Sequence, residues 1–460
     1  MSISRQIINL SIPIIISQMS RVLMSLADMS MVSHLGTDAL AATGMGSLIL
    51  WIAMSSGIGL RTAVQTVSAR RFGEKKIMDC GDALLNGIII AILLSLPIVI
   101  FGVIYSSIIS ELLLMDLNVI SYCSEYIRIG FFSVIFVLIS FAFQGFYTSI
   151  GNTKIHMIIT ILSNLLNVYL NAALIFGSTN IMEYFHNTDM TYLGYLWNYF
   201  DFPSLGVKGA ALATLISHVF TALCYMFYLK VKFIKPFFSA KYKFISSNIY
   251  KLIKIGTPIS IQEVITMLGF AIFYKIINQI GTLELAASEV ILNIAHASFM
   301  PAVGVGMASA AILGKYIGEN DIARATATIY SALKWSFLIM GTMGSLFIFF
   351  PYQILSFFIS SHELINMSIP CLRLIGVVQY FDAIGLTLFF ILTGAGNTKF
   401  PALVNISLCW VIFLPLAYIL SIIFNMGLIG AWIAFSIWVI LFSIIMIFKV
   451  RAGSWKNIKI

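Results

Sequence analysis

Charge is scarce in this chain: of its 460 residues, 10% are Asp, Glu, Lys or Arg, and 60% are hydrophobic. A soluble domain carries about a quarter charged residues. With a mean hydropathy of +0.99 and 36 Phe, a water-facing exterior is excluded. The five cysteines (Cys80, Cys123, Cys224, Cys371, Cys409) form no CxxC pair and mostly fall inside apolar runs. Neither a disulfide framework nor a thiolate metal site is indicated. No GxxxxGK[ST] loop occurs and no soluble stretch has the length of a nucleotide domain, which argues against an ATP-driven pump. HExxH is also missing and the six histidines are scattered, so an embedded metalloprotease is disfavoured. The chain is expected to be neither an enzyme nor a carrier of a bound cofactor.

What remains is apolar length. Runs long enough to cross a bilayer, about 20 residues each, lie near 8–33, 40–68, 82–106, 121–149, 154–177 and 206–229. A second set lies near 250–280, 285–314, 327–351, 364–394, 400–424 and 427–448. The net charge of +9 does not point to nucleic acid, because the cations crowd into alternate gaps. Those gaps hold Arg5; Arg70, Arg71, Lys75 and Lys76; Lys154; seven lysines from Lys230 to Lys254; Lys315 and Arg324; Lys399; and Lys449, Arg451, Lys456 and Lys459. By the positive-inside rule both termini are cytoplasmic and the number of spans is even. The expected place is the cell inner membrane. The first run has only Arg5 before it and no small-residue cleavage pattern, so it reads as a retained span and not as a signal peptide.

The chain repeats itself. Under a shift of 245 residues Pro13 falls on Pro258, Gly36 on Gly281, Gly59 on Gly304, Gly73 on Gly318 and Arg128 on Arg373, and GNTK at 151–154 falls on GNTK at 396–399. After the fifth span of each half the register changes to 221, so that GVKGAALAT from Gly206 answers GLIGAWIAF from Gly427. An outer insertion near 178–203, rich in Tyr, Asn and Asp, accounts for the difference. The cationic gaps coincide under the shift, so the halves share one orientation. The expected fold is all-α and membrane-integral: twelve transmembrane helices in two six-helix bundles related by a pseudo-two-fold axis along the membrane normal. The division reads as an N-lobe 1–229, a basic cytoplasmic linker 230–249 and a C-lobe 250–460.

Polar groups inside the spans are the functional candidates, since an aspartate at a helix centre costs about 2.5–3.5 kcal/mol on insertion scales. Asp28 lies about two turns before Gly36, within the first span. In the fifth span Asn164, Asn167 and Asn171 recur at i, i+3 and i+7 on one face, and in the sixth Thr214 and His218 stand at i and i+4. Three helices can thus enclose a hydrated chamber around one acid. Structural asparagine glue between helices is the competing reading. A carboxylate among neutral oxygens can hold Na⁺ or exchange H⁺, and the sequence does not choose between them. In the second half Asp382 is mid-span and Glu263 follows Pro258 by five residues, while Gln18 and Val137 occupy their first-half positions. Arg21, Arg61, Lys275, Glu289 and His296 read as structural, Arg128 and Arg373 as a shared packing device, and the GNTK turns as caps of tight connections. Pro13, Pro258 and Pro301 are places where a helix can bend.

At this point the sequence resembles the multidrug and toxic compound extrusion (MATE) transporters over nearly its whole length. The resemblance rests on Pro13, on D..MVSHLGTDALAA from Asp28, on SARRFGEKK at 68–76 and QGFYTSIGNTK at 144–154, and on GVKGAALAT at 206–214. The second-half echoes are GTLELAA and PAVGVGMASAAILGKYIGEN. It implies two bundles forming a V and exporting substrates by alternating access driven by a Na⁺ or H⁺ gradient. By similarity Asp28 matches the family's first-helix acid, Asn167, Asn171 and Thr214 its partners in a cation site where Na⁺ can sit, and Pro13 the proline at which the first helix bends. Asp382 in VVQYFD resembles the C-lobe acid of NorM-like members. Glu263 departs from that branch: the seventh-helix glutamate there stands where this chain has Thr266.

The function expected is a secondary efflux antiporter for amphipathic, cationic small organic compounds, working in the lipid bilayer as a monomer with no nucleic-acid partner. A dedicated natural-product exporter and a lipid-linked saccharide flippase are the alternatives, and a cleft rich in arginine and lysine favours the latter. A channel is the rival of a different class; the doubled lobes favour alternating access.

Overall fold

A computed structural model describes residues 2–186, 194–198, 200–230, 235–238, 246–359 and 361–458. Among these residues there is no strand, and twelve helices are long and apolar enough to cross a membrane. In chain order the helices are α1 (Ile3–Ser33), α2 (Thr37–Gly73), α3 (Ile77–Ile104), α4 (Ser106–Leu113), α5 (Leu117–Ser149), α6 (Thr153–Phe176), α7 (Ser178–His186) and α8 (Val207–Tyr228). The second half adds α9 (Ser246–Ile280), α10 (Thr282–Gly318), α11 (Ile322–Phe349), α12 (Pro351–Phe358), α13 (His362–Gly394), α14 (Lys399–Ile423) and α15 (Gly427–Arg451). Every expected span is present. Residues 187–193 and 199 of the outer insertion, and most of the basic linker, lie outside the described residues.

Several spans run longer than their apolar cores. α2 and α10 each have 37 residues, roughly 55 Å at 1.5 Å per residue, against a hydrocarbon thickness of about 30 Å. Once a helix is nucleated, extending it into water costs little. The short helices α4 and α12, eight residues each, follow α3 and α11 at equivalent places in the two halves and were not foreseen. Each is too short to give a clear period in sequence. Arg128 ties one down, its Nε donating to Ser106 Oγ at 3.2 Å.

The internal repeat survives in detail. Both GNTK turns reverse through a glycine with positive φ, 79° at Gly151 and 97° at Gly396. In each the asparagine N–H reaches back to a helix carbonyl, Asn152 to Tyr147 at 2.9 Å and Asn397 to Leu392 at 2.8 Å. Where the lobes meet, a side chain at Gly73 would collide with the Lys315 carbonyl oxygen and one at Gly318 with that of Arg70. The same reciprocity holds higher up, where Gly59 faces Gly256 and Ser260, and Gly304 faces Ile15. These glycines let α2 cross α9 and α10 cross α1 with backbones in contact.

Hydrogen bonds between the lobes continue toward the end where α1 begins. Gln65 Nε2 donates to Met307 O at 2.8 Å, Thr66 Oγ1 to Thr393 O at 3.0 Å, and Arg70 to the carbonyls of Ala395 and Ile458 at 3.3 and 3.1 Å. Trp335 Nε1 donates to Ser4 Oγ at 2.6 Å and Tyr316 OH to Gln6 Oε1 at 3.0 Å. All these residues lie in the half of the bundle where α1 begins. At the opposite end Gly36 and Gly44 face open space. The lobes are therefore joined at the end carrying Arg5, Arg70 and Lys315.

Candidate functional site

In the N-lobe the sequence-selected residues form one chain of hydrogen bonds. Asn171 Nδ2 donates to Asp28 Oδ1 at 2.5 Å and to Asn167 Oδ1 at 3.0 Å. Asn167 Nδ2 reaches Thr214 Oγ1 at 3.5 Å, and that hydroxyl donates to Ala210 O at 3.0 Å. Asn167 and Asn171 are buried, at 0% and 1% exposure, while Asp28 and Thr214 are half-buried. The helical spacing explains the assembly: i, i+4 places the two asparagines one above the other on α6, where they face α1 and α8 together. The third asparagine, Asn164, turns instead to Ser20 Oγ at 2.7 Å.

The energetics are of the right order. A hydrogen bond to a charged group contributes about 1.5–3 kcal/mol, comparable with the roughly 2.5–3.5 kcal/mol cost of placing an aspartate in a span. One atom is left over: Asn171 Oδ1 is buried with no hydrogen-bond partner. The chain thus offers the Asp28 carboxylate, two amide oxygens and a hydroxyl, all hard oxygen donors of the kind that suit Na⁺. Among the described residues no cluster of three His, Cys, Asp or Glu exists, so a soft transition-metal site is not what these residues build. Tyr126 of α5 places its hydroxyl 3.2 Å from Ser47 Oγ.

Deeper in the same lobe lie further polar groups, among them Arg21 and Arg61, expected to pair or snorkel as structural residues, and His218, expected on the chamber's polar face. Arg61 on α2 carries its guanidinium 5.6 Å from the Phe141 ring centroid. Arg21 on α1, His156 on α6 and His218 and Tyr225 on α8 belong to the same lobe. His156 Nδ1 lies 2.5 Å from Tyr225 OH, and its Nε2 lies 2.9 Å from Gln144 Nε2. Among the described residues no ion pair joins Glu263 to Arg61. His156 was missed. Its signal was there in principle, as a histidine inside a span, but the groups that hold it come from helices far away in sequence.

In the C-lobe Asp382 sits half-buried on α13. Among the described residues no hydrogen bond or ion pair reaches its carboxylate, and none joins it to Glu263. The place corresponding to the Asp28 chamber is aromatic: Phe273 lies 4.9 Å from Phe413 and 5.9 Å from Trp432, and Phe413 lies 5.8 Å from Phe435. Pro13 is buried within α1, which runs helical from Ile3 to Ser33. The outer insertion packs on α6, with Trp197 stacked 5.3 Å from Tyr169 and donating to its carbonyl at 3.1 Å.

Comparison with known proteins brings these observations together. A family model described as MatE matches residues 13–173 and 258–419, the same stretch of each half. The chain is 25% identical to a probable multidrug resistance protein NorM of Thermotoga maritima, over 99% of this chain and 94% of that protein. It is also 25% identical to the probable multidrug resistance protein YoeA of Bacillus subtilis, over 97% and 93%. The outward-facing conformation of a multidrug resistance MATE family transporter of the MOP superfamily superposes with a TM-score of 0.87 at 21% identity, covering 100% of this chain and 98% of that one. A MOP superfamily transporter from Pyrococcus furiosus, described as having a binding pocket of reverse polarity that suggests a different function, matches with a TM-score of 0.87 at 21% identity over 100% and 98%.

Proposed function

The chain belongs to the MatE family of multi-pass membrane transporters, and from that premise we propose that it exports amphipathic organic compounds in exchange for Na⁺ or H⁺ bound at Asp28. The observation that carries this reading is the hydrogen-bonded chain Asp28–Asn171–Asn167–Thr214, with Asn171 Oδ1 left unpartnered beside the acid. With its lobes joined at one end, the structure is suited to release cargo on the side of the α1–α2 turn and admit the cation there. When Asp28 takes up the cation, its bond to Asn171 is exchanged for a new partner, and α1 is freed to move against α6 and α8. Rocking of the two lobes about the Gly59 and Gly304 crossings then opens the sealed end. By the cationic gaps that end is cytoplasmic, and the membrane is the inner membrane.

Cationic cargo is the first reading, with Asp382 and Glu263 as its acids. A second reading starts from the two arginines inside N-lobe spans, Arg21 on α1 and Arg61 on α2, whose positive charge suits an acidic organic compound. The reverse polarity described for the Pyrococcus furiosus relative is in keeping with it.

The test is purified chain in liposomes loaded with either a fluorescent organic cation or a fluorescent organic anion, under a Na⁺ gradient or a pH gradient imposed separately. Gradient-driven efflux of the cation supports the first reading, and efflux of the anion alone supports the second. No movement of either probe under either gradient overturns the proposal.

A further inference from the structure

One cavity of the C-lobe does not lie between the lobes. It is a lateral groove of about 1020 Å³ on the C-lobe, flanked by α11 and α15 with α13 as its floor. From Thr326 to Ser345 it follows twenty residues of α11, roughly 28 Å at 1.5 Å per step. One end is basic: Lys334, Arg451 and Lys456 line it. All three are exposed, and among the described residues no carboxylate is paired with any of them. Lys334 is the unusual one, an exposed ammonium twelve residues inside a membrane-spanning helix. The other end is apolar, with Phe337 and Leu338 at 47% and 52% exposure around Gly341. Trp455 closes the basic end from below. It is buried to 1%, donates to Val450 O at 3.1 Å, and carries the Lys456 ammonium 5.8 Å from its ring.

The repeat makes the groove informative. Lys334, Gly341, Thr342, Ser345 and Tyr380 correspond, 245 residues earlier, to Ile89, Leu96, Pro97, Ile100 and Ile135. The N-lobe face is thus wholly apolar where the C-lobe carries an ammonium, two hydroxyls and a phenol. Thr326 corresponds to Gly81, and on Gly81 the N-lobe seats Phe237, buried at 5% exposure and 5.5 Å from the Phe146 ring. One lobe covers this place with its own chain; in the other it lines the groove.

We propose that this groove is a binding site for an anionic glycerophospholipid of the leaflet at the sealed end. Its phosphate lies among Lys334, Arg451 and Lys456, and one acyl chain lies along Phe337, Leu338 and Gly341. Charge complementarity selects this occupant: three cations without carboxylate partners repel an organic cation and attract a lipid phosphate held at the membrane surface. A lysine on the lipid-facing side of a span is costly, and a phosphate ester beside it offsets that cost in a way that a zwitterionic neighbour does less well.

The experiment is native mass spectrometry of the full chain released from nanodiscs of equal phosphatidylglycerol and phosphatidylcholine. The wild type is expected to retain phosphatidylglycerol over phosphatidylcholine by at least about tenfold. The combined variant Lys334→Gln, Arg451→Gln, Lys456→Gln is expected to bring the ratio close to one, and Lys230→Gln to leave it unchanged. Lys334→Met, the substitution a membrane helix accommodates most readily, is a second variant whose ratio falls by itself. Thermal melting gives an independent readout: phosphatidylglycerol raises the wild-type midpoint, whereas phosphatidylcholine and inorganic phosphate do not. The proposal is overturned by equal retention of both lipids, by a ratio indifferent to the groove variants, or by a second copy of the chain released in place of lipid.

Discussion

Asp28 and Phe273 occupy equivalent positions in α1 and α9, 245 residues apart, and the structure surrounds them in opposite ways. Around Asp28 stand Asn167, Asn171 and Thr214. Around Phe273 stand Phe413 and Trp432, with Phe435 beyond them. The replacement is consistent along the helices, since Asn164, Asn167 and Asn171 of α6 answer to Cys409, Ile412 and Leu416 of α14. Even the backbone differs: α6 is regular, whereas α14 widens into π turns at Leu408–Phe413 and Ile419–Ile423 on either side of Pro415. A duplicated scaffold has thus kept its interface glycines and its turns in both halves. Only one half has been hollowed into a polar chamber, while the other is filled as a core. The difference teaches that cation chemistry and mechanical support can be divided between two copies of one bundle.

The comparison is broken most severely by moving the acid. Phe273→Asp places a carboxylate among aromatic rings with no asparagine to receive it, so it combines a lost aromatic core residue, about 3–5 kcal/mol, with an unpartnered buried polar group. The protein is expected to lose its cooperative melting transition in detergent, and a melting point near that of the wild type contradicts the account. Removing the partners of Asp28 is milder. Asn171→Ala deletes the bond to the carboxylate and is expected to weaken cation binding by about 1–3 kcal/mol, roughly five- to a hundredfold. Asn167→Ala acts only through Asn171 and is expected to weaken it less. Isothermal titration with Na⁺, or proton release on cargo binding, gives the order.

The shared features should respond alike. Gly73→Ala and Gly318→Ala each press a methyl group on the opposite lobe's carbonyl, so both are expected to loosen the sealed end to a similar degree, read as faster labelling of an engineered cysteine at position 314. A large asymmetry between the two rejects the pseudo-symmetric seal.

The smallest effect concerns the turns just beyond that seal. Burial alone would raise the Glu74 carboxyl, but Lys76 at 2.9 Å and Arg71 at 2.7 Å outweigh it and hold the group below its ordinary value. A depressed carboxylate contributes stability that is present above its unfolded pKa and is lost as pH falls through the folded one. The melting point is therefore expected to drop slightly on acidification below the usual carboxylate range. Glu74→Gln should remove that part of the drop. In the other lobe Glu319 meets Lys315 at the longer distance of 3.7 Å.

Much of this was legible in the sequence, for identifiable reasons. Apolar length marks a span directly, and a helix carries its polar stripe in a local period, so Asp28 and the asparagines on α6 were visible before any contact was known. The hidden features depend on contacts between distant segments. His156 meets Tyr225 from another helix; no local pattern encodes that meeting. The eight-residue helices α4 and α12 are shorter than the window in which a period shows. Lys334 was visible as a residue but not as a site, because the groove beside it exists only once α11, α13 and α15 pack.

The central claim is that coupling resides in the N-lobe chamber, at the Asp28 carboxylate. The most direct measurement is cation counterflow per cargo molecule in proteoliposomes, for the wild type and for Asp28→Asn, with folding of the variant established by its melting curve. The account predicts that the wild type moves Na⁺ or H⁺ inward as cargo leaves, and that folded Asp28→Asn moves neither. Undiminished counterflow in the folded variant would contradict it and shift the coupling to Asp382 and Glu263.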